Sequence, residues 1–267
     1  MTHDSTTLRI LVTNDDGILA PGLRALAECL APLGIVDVVA PSAERSGSAQ
    51  ALSVRKRVFW EQVAEHEWSV EGTPTDSVIL AICHLFPQPP DIVVSGINRG
   101  GNMGENVHYS GTVGAAREAA IHGIPSLAVS VAHRGRDFNY DVAARCAREL
   151  AAILLRDGLA HGVLLNVNVP NPWKGGIRAT RQSPKITRNV LDMGQDDDGR
   201  DFFVLHEQQF ITDVSPDTDY AAIFDGAISV TPLILDHTHD ALIEHVVRLL
   251  APLELALREH DTSEKSR

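Results

Sequence analysis

Residues 8–17, LRILVTNDDG, decide the fold. An apolar run of strand length ends in a T-N-D-D-G turn, and Pro21-Gly22-Leu23 then opens a helical pattern that continues to Leu33. Strand, turn and helix in that order make the first half of a βαβ unit. In open α/β sheets, ligands collect at the carboxyl ends of the strands. A buried strand that delivers two adjacent carboxylates, Asp15 and Asp16, to that end is placed to hold a hard divalent cation such as Mg²⁺ or Mn²⁺. N-D-D-G is also an ordinary turn sequence, so its meaning rests on what else the chain brings to the same place.

Working outward, the alternation continues. Strand patterns at 35–40, 91–95, 126–131 and 163–169 are interleaved with helical patterns at 112–122 and 140–156. This predicts a doubly wound, mostly parallel, Rossmann-like α/β sheet with right-handed crossovers. From about Asn171 the pattern changes. Runs at 177–182 and 202–205 flank the polar stretch LDMGQDDDGRD and predict the arms of a C-terminal β-hairpin extension. A short strand at 227–231 and an amphipathic helix at 240–257 follow, and HDTSEKSR reads as a frayed tail. The expected organisation is a core at 1–170, an extension at 171–257 and a flexible tail at 258–267.

Composition narrows the function. The chain has 267 residues, 44% hydrophobic and 22% charged, with a formal net charge of −12. Such a surface repels a nucleic-acid polymer, whose binding needs clustered cations. Small phosphate esters remain open to it, because a metal reverses the local potential. The cysteines, Cys29, Cys83 and Cys146, lie far apart without a C-x-x-C, as expected of free thiols in a reducing compartment. With no apolar signal core and no membrane-spanning run, a soluble cytoplasmic protein without a membrane partner is expected.

Four loops after apolar runs are rich in oxygen ligands. They are Asn14-Asp15-Asp16-Gly17, the stretch APSAERSGSAQ with Ser46 and Ser48, SGINRGGNMG with Asn98 and Asn102, and HYSGTVG with Ser110-Gly111-Thr112 at a helix start. Parallel topology makes such loops converge. Asp15 and Asp16 then supply charge for the cation, while the Ser46 hydroxyl and Asn98 carbonyl add neutral oxygens. Ser110, Gly111 and Thr112 read as an anion cradle at a helix N-terminus, with Asn14 and Asn102 as further candidates for phosphate contact. Metal plus phosphate cradle reads as phosphoryl chemistry.

These segments, together with TNDDGILAPGL, VEGTPTDSV and GAISVTPL, resemble the SurE family (survival protein E) in order and spacing over roughly residues 8–236. The resemblance implies a metal-dependent 5′/3′-nucleotidase, with acid phosphatase or short-chain polyphosphatase activity in some members. It puts the metal ligands on Asp15, Asp16, Ser46 and Asn98, one divalent ion per subunit, and the phosphate loop on Ser110, Gly111 and Thr112 with Asn102 nearby. Nucleoside monophosphates are the implied substrates and a homodimer or homotetramer the implied assembly. Gln50 departs from the His or Asn often found at its position, which bears on substrate preference. One of Asp15 and Asp16 is expected to take the proton of the attacking water.

Other signals are weaker. His237 and His239 lack a third ligand nearby and read as a surface turn. Asp196–Asp198 reads as a solvated hairpin tip, and His108 as a structural hydrogen-bonding residue beside the S-G-T loop. Arg178, Arg181, Lys185 and Arg188 read first as a charged hairpin face and second as the lining of a phosphate entrance. No P-loop and no G-x-G-x-x-G follows the first strand. A receiver-type Mg²⁺-binding regulatory module is the alternative. It requires an acceptor Asp after the third strand and a Lys after the fifth, whereas this chain has Ser95-Gly96-Ile97-Asn98 and no lysine between Lys56 and Lys174.

Overall fold

The computed structural model describes residues 7–132, 138–184, 187–209 and 214–250. In chain order its elements are β1 (Arg9–Thr13), α1 (Pro21–Leu30), β2 (Ile35–Pro41), β3 (Trp60–Ala64), β4 (Glu67–Val70), α2 (Pro74–Leu80), β5 (Ile92–Arg99) and α3 (Gly111–Ile121). Then come β6 (Ser126–Ala132), α4 (Asp141–Asp157), β7 (Val163–Pro170), β8 (Ile177–Ala179), β9 (Thr187–Gln195), β10 (Asp201–Gln209), α5 (Asp219–Asp225) and β11 (Ile228–Ile234). The main sheet has nine strands in the order β3-β4-β2-β1-β5-β6-β7-β11-β8. From β4 through β7 every neighbouring pair is parallel, while β3 and β11 join antiparallel at either side.

β1 shows why the sheet is covered on both faces. Ile10, Leu11 and Val12 are all fully buried, and successive side chains of a strand point to opposite faces. Ile10 and Val12 belong to one core cluster with Leu23 and Leu26 of α1 and Ala143 and Ala147 of α4. Leu11 belongs to another, with Val78 of α2 and Ala115 and Ala119 of α3. Chain order runs one way from β1 through β2 to β4 and the other way from β5 through β6 to β7. The reversal falls between β1 and β5, which is the topological switch point where doubly wound folds bind ligands.

α2 has a complete capping box: Asp76 N–H donates to Thr73 Oγ1 at 3.0 Å, and Thr73 N–H to Asp76 Oδ2 at 2.9 Å. Pro74 stands at the first helical position, where its missing N–H costs nothing. Ser53 also donates to Asp76, through N–H at 3.0 Å and Oγ at 2.8 Å. Burial pushes the Asp76 carboxyl up, but these donors outweigh it and hold it below its usual range.

The hairpin differs from its expected position. Its arms are β9 and β10, a separate two-stranded sheet paired from Thr187–Gln209 to Gln195–Asp201. Ile177–Ala179 is instead a short edge strand running parallel to β11. The expected arm was displaced because TRNVLDMGQ carries no clean polar–apolar alternation, as suits a strand with no buried face. Arg178 pairs with Asp225 at 2.7 Å, Arg181 with Asp217 at 3.1 Å, and Arg188 bonds Gln208 at 2.9 Å. Lys185 lies outside the described residues.

Two compact units result, Met1–Leu235 and Asp236–Arg267. Within the second, residues 240–250 are helical and expose Leu242, Ile243, Val246, Val247, Leu249 and Leu250. The expected continuation to 257 and the tail at 258–267 lie outside the described residues. Among the described residues, no helix is long and apolar enough to cross a membrane.

Candidate active site

The turn after β1 is closed by Asn14. Its Nδ2 donates to the Gly17 carbonyl at 3.0 Å, and its Oδ1 accepts Gly17 N–H at 3.2 Å. Asn14 is fully buried, so its amide shapes the turn that aims the two following carboxylates.

Asp15 is only 4% exposed. Its Oδ1 accepts the Thr112 hydroxyl at 2.5 Å, and the Thr112 backbone also hydrogen-bonds the carboxylate. Burial pushes this carboxyl up, Thr112 pulls it down, and the Asp16 charge raises it further. Gly111 stands directly behind it: an added Cβ would lie 2.6 Å from Ser48 Oγ and 2.9 Å from Asp15 Cβ. Ser110 caps α3 by accepting Val113 N–H at 3.1 Å. The start of α3 thus grips Asp15 with Thr112 and turns Ser110 to the cavity.

Asp16 is held from β5. Its Oδ2 accepts Arg99 N–H at 3.2 Å, and its Oδ1 lies 3.5 Å from Arg99 Nε. Burial raises its carboxyl, the Arg99 N–H and charge oppose this, and Glu44 adds to the rise. Glu44 accepts from Ser46 Oγ at 2.7 Å and lies 3.5 Å from Arg99 Nη2. Asn98 donates Nδ2 to the Gly100 carbonyl at 2.7 Å, which commits its amide nitrogen and leaves Oδ1 as the oxygen for a cation. The chain reaches this arrangement through a register shift between Ser95 and Asn98. There a Cβ on Gly96 would meet the Val129 carbonyl at 2.3 Å, so only glycine fits.

The loop after β5 is pinned from two sides. Asn102 N–H donates to Asn168 Oδ1 at 2.8 Å, and its carbonyl accepts from Asn166 at 2.8 Å and Asn168 at 3.1 Å. Asn102 Nδ2 donates to Ser130 Oγ at 2.9 Å. Two residues on, Gly104 N–H donates to buried Asp219 at 2.8 Å. The asparagines in the β7 sequence VLLNVNVP therefore replace core side chains with a mount for this loop.

A cavity of about 700 Å³ is lined by Asp15, Ser46, Asn98, Asn102 and Ser110. Asp16, Gly111 and Thr112 contribute from behind through Arg99 and Asp15, and Asn14 through the turn. The sequence reading missed Arg99, Asn106 and Tyr109, which also line the cavity. Asn106 and Tyr109 come from the 3-10 turn Gly104–His108 and its cap, adjacent to the S-G-T motif that signalled them. Asn189 and Leu205 of the hairpin line it too, and no local pattern marks them. Gln50 lies elsewhere, donating to Glu118 at 2.8 Å, and His108 is exposed outside the lining.

The donors suit a hard cation. Among the described residues no group of three or more His, Cys, Asp or Glu side chains clusters as a metal site. Ligation here would join the Asp15 and Asp16 carboxylates to neutral oxygens of Ser46 and Asn98, an all-oxygen set appropriate to Mg²⁺ or Mn²⁺. Both carboxylates are pushed up by burial, the condition of an acidic pair short of positive charge. Ser48 Oγ, beside Asp15, is buried without a hydrogen-bond partner.

Comparison with known proteins agrees with this architecture. A solved structure titled "Crystal Structure of Sure Protein from Aquifex aeolicus" superposes with a TM-score of 0.81 at 35% identity, covering 90% of this chain and 99% of that one. A protein named 5′-nucleotidase SurE from Geobacter metallireducens is 45% identical over 237 residues, 88% of this chain and 94% of its own. Another of that name from Heliobacterium modesticaldum is 41% identical over 247 residues, 90% of each chain. The family model described as Survival protein SurE matches residues 10–189. This chain belongs to the SurE family.

Proposed function

We propose that this chain is a metal-dependent 5′-nucleotidase, hydrolysing nucleoside 5′-monophosphates to nucleoside and phosphate. The observation that carries this reading is the convergence of Asp15, Ser46, Asn98, Asn102 and Ser110 on one cavity at the switch point. The names of the relatives, 5′-nucleotidase SurE, point the same way. Nucleoside 3′-monophosphates and short polyphosphates present the same phosphoryl group and are proposed as secondary substrates. We assign one Mg²⁺ or Mn²⁺ per subunit to Asp15, Asp16, Ser46 and Asn98.

When bound, the divalent ion supplies Lewis acidity to the phosphoryl oxygens. The rest falls to the chain. Ser110 and Asn102 orient the phosphate from the cavity wall, and Thr112 and Gly111 fix the Asp15 carboxylate. Water attacks phosphorus in line with the ribose oxygen as the P–O bond to ribose breaks, and the water's proton passes by way of Asp15 or Asp16 to the departing ribose oxygen.

The deciding assay is phosphate release from a panel of nucleotides and polyphosphates with Mg²⁺, Mn²⁺ or excess chelator. Turnover of 5′-monophosphates that chelation abolishes and metal restores is expected, with Asp16→Asn reducing it ~10²-fold or more. Full activity in excess chelator would refute the metal assignment.

A further inference from the structure

Arg99 is the only cationic residue lining the cavity among the described residues. Its backbone is fixed by the N–H bond to Asp16 at 3.2 Å, whereas its guanidinium is held only by long contacts. That group lies 3.5 Å from Asp16 Oδ1 and 3.5 Å from Glu44 Oε2, and the side chain is 45% exposed. Both separations exceed the 2.7–2.9 Å of a formed charge-assisted hydrogen bond. The head therefore rests between two carboxylates in the cavity wall without a tight bond to either.

The charge balance of catalysis explains such a loose cation. With a divalent ion on Asp15 and Asp16 the local charge is near zero, and a phosphate monoester dianion then adds two negative charges. A guanidinium is the side chain best matched to phosphate oxygens, because its planar fork presents paired N–H donors. Ion binding also turns the Asp16 carboxylate from an attraction for Arg99 into a group already neutralised. Glu44 remains as the competing partner. It is anchored by the 2.7 Å bond from Ser46 and stands 56% exposed beside Arg99.

We propose that Arg99 binds the substrate's phosphate group and that Glu44 competes for the same guanidinium, so that this pair sets affinity for substrate and favours more highly charged phosphates. The inference rests on the phosphoesterase reading of the cavity, but its central test does not require turnover. Arg99 is a binding residue here, and Glu44 acts through it.

The test measures inorganic phosphate binding to the Mn²⁺-loaded protein by calorimetry, and Mn²⁺ binding separately by its paramagnetic resonance signal. Arg99→Gln should weaken phosphate binding about ten-fold and leave Mn²⁺ affinity unchanged or tighter, since a competitor for Asp16 is gone. Glu44→Gln, which retains an oxygen for Ser46, should tighten phosphate binding several-fold. Arg99→Lys should recover part of the loss. In turnover, KM should rise in Arg99→Gln with kcat nearly constant, and rise more for a short polyphosphate than for p-nitrophenyl phosphate. Phosphate affinity unchanged in either Gln variant would overturn the proposal, as would parallel loss of phosphate and Mn²⁺ affinity in Arg99→Gln, which would make Arg99 a support for Asp16 alone. If the protein hydrolyses no monophosphate while phosphate binding still follows Arg99 and Glu44, the nucleotidase reading fails and this one stands.

Discussion

Gly111 has no room for a side chain because Asp15 occupies it: a Cβ there would lie 2.9 Å from Asp15 Cβ and 3.0 Å from its Oδ2. The glycine has no left-handed backbone angle, so its requirement is space. Gly111→Val must displace either the start of α3 or the carboxylate assigned to the metal. We predict a loss of kcat/KM of ~10²-fold or more, the scale of misplacing a key electrostatic group, together with weakened Mn²⁺ binding. Steady-state kinetics and metal titration on the folded variant check this. Wild-type Mn²⁺ affinity in Gly111→Val would contradict the predicted displacement of Asp15 and show that the start of α3 yields instead.

Thr112 tests the same carboxylate without crowding it. Thr112→Val keeps shape and removes the hydroxyl that donates to Asp15 Oδ1. A buried hydrogen bond to a charged group is worth about 1.5–3 kcal/mol, so kcat/KM should fall by roughly ten- to a hundred-fold. Thr112→Ser, which retains the hydroxyl, should recover most of it. Equal losses in the Val and Ser variants would point to packing, and no loss in either would remove Thr112 from the site.

How far these relationships were legible in the chain differs by element. LRILVTNDDG announced β1, its buried character and the two carboxylates, because strand, turn and charge are all local in sequence. The capping box at Thr73 and Asp76 is equally local, yet α2 was missed: T-P-T-D carries its signal, but seven residues are too few for periodicity to show. What the sequence could not express is contact across the fold. Ser110-Gly111-Thr112 reads as a bare phosphate cradle, yet Thr112 and Gly111 stand against Asp15, 97 positions from Thr112. Arg99 looks like one more loop residue until β5 lies beside β1. The 202–205 run marked β10, but β9 escaped, because a strand without a buried face lacks the alternation that identifies strands.

Unbalanced burial of Asp15 and Asp16 sets a stability prediction. Both folded-state pKa values are raised, with burial the largest cause. For a raised carboxyl, the stabilising contribution is complete below the unfolded pKa and is lost as pH rises through the folded one. The metal-free protein therefore loses stability from this pair as pH rises from acid toward neutral. Asp15→Asn, whose Oδ1 still accepts from Thr112, should raise the Tm of chelated protein at pH 7, and the gain should shrink on acidification toward pH 4. Added Mn²⁺ should reverse the ranking, because a ligand that binds only the folded state stabilises wild type and the variant has lost a ligand. Calorimetric scans with chelator and with Mn²⁺ check both halves; a chelated variant less stable than wild type at pH 7 contradicts the prediction.

The hairpin carries the last prediction. β9 and β10 pair only with each other among the described strands, and a lone two-stranded hairpin is marginally stable in water. Its side chains are nonetheless apolar and outward: Met193 is 70% exposed and Phe203 61%, with Leu191, Phe202 and Val204 also exposed. By the register, Leu191, Met193 and Phe203 share one face of the ribbon and Phe202 and Val204 the other; apolar side chains exposed on both faces, in a chain of net charge −12, are suited to burial against another protein surface. A second copy fits best, because a symmetric dimer can bury the same patch from both subunits. We predict at least a homodimer, with Phe203→Asp or deletion of residues 184–200 shifting it to monomer in light scattering. Asn189 and Leu205 line the active-site cavity, so the monomeric variant should also show a raised KM while Mn²⁺ still binds. A monomeric mass for the intact chain at micromolar concentration would refute the assembly, and an unchanged KM in a monomeric variant would separate the hairpin from substrate binding.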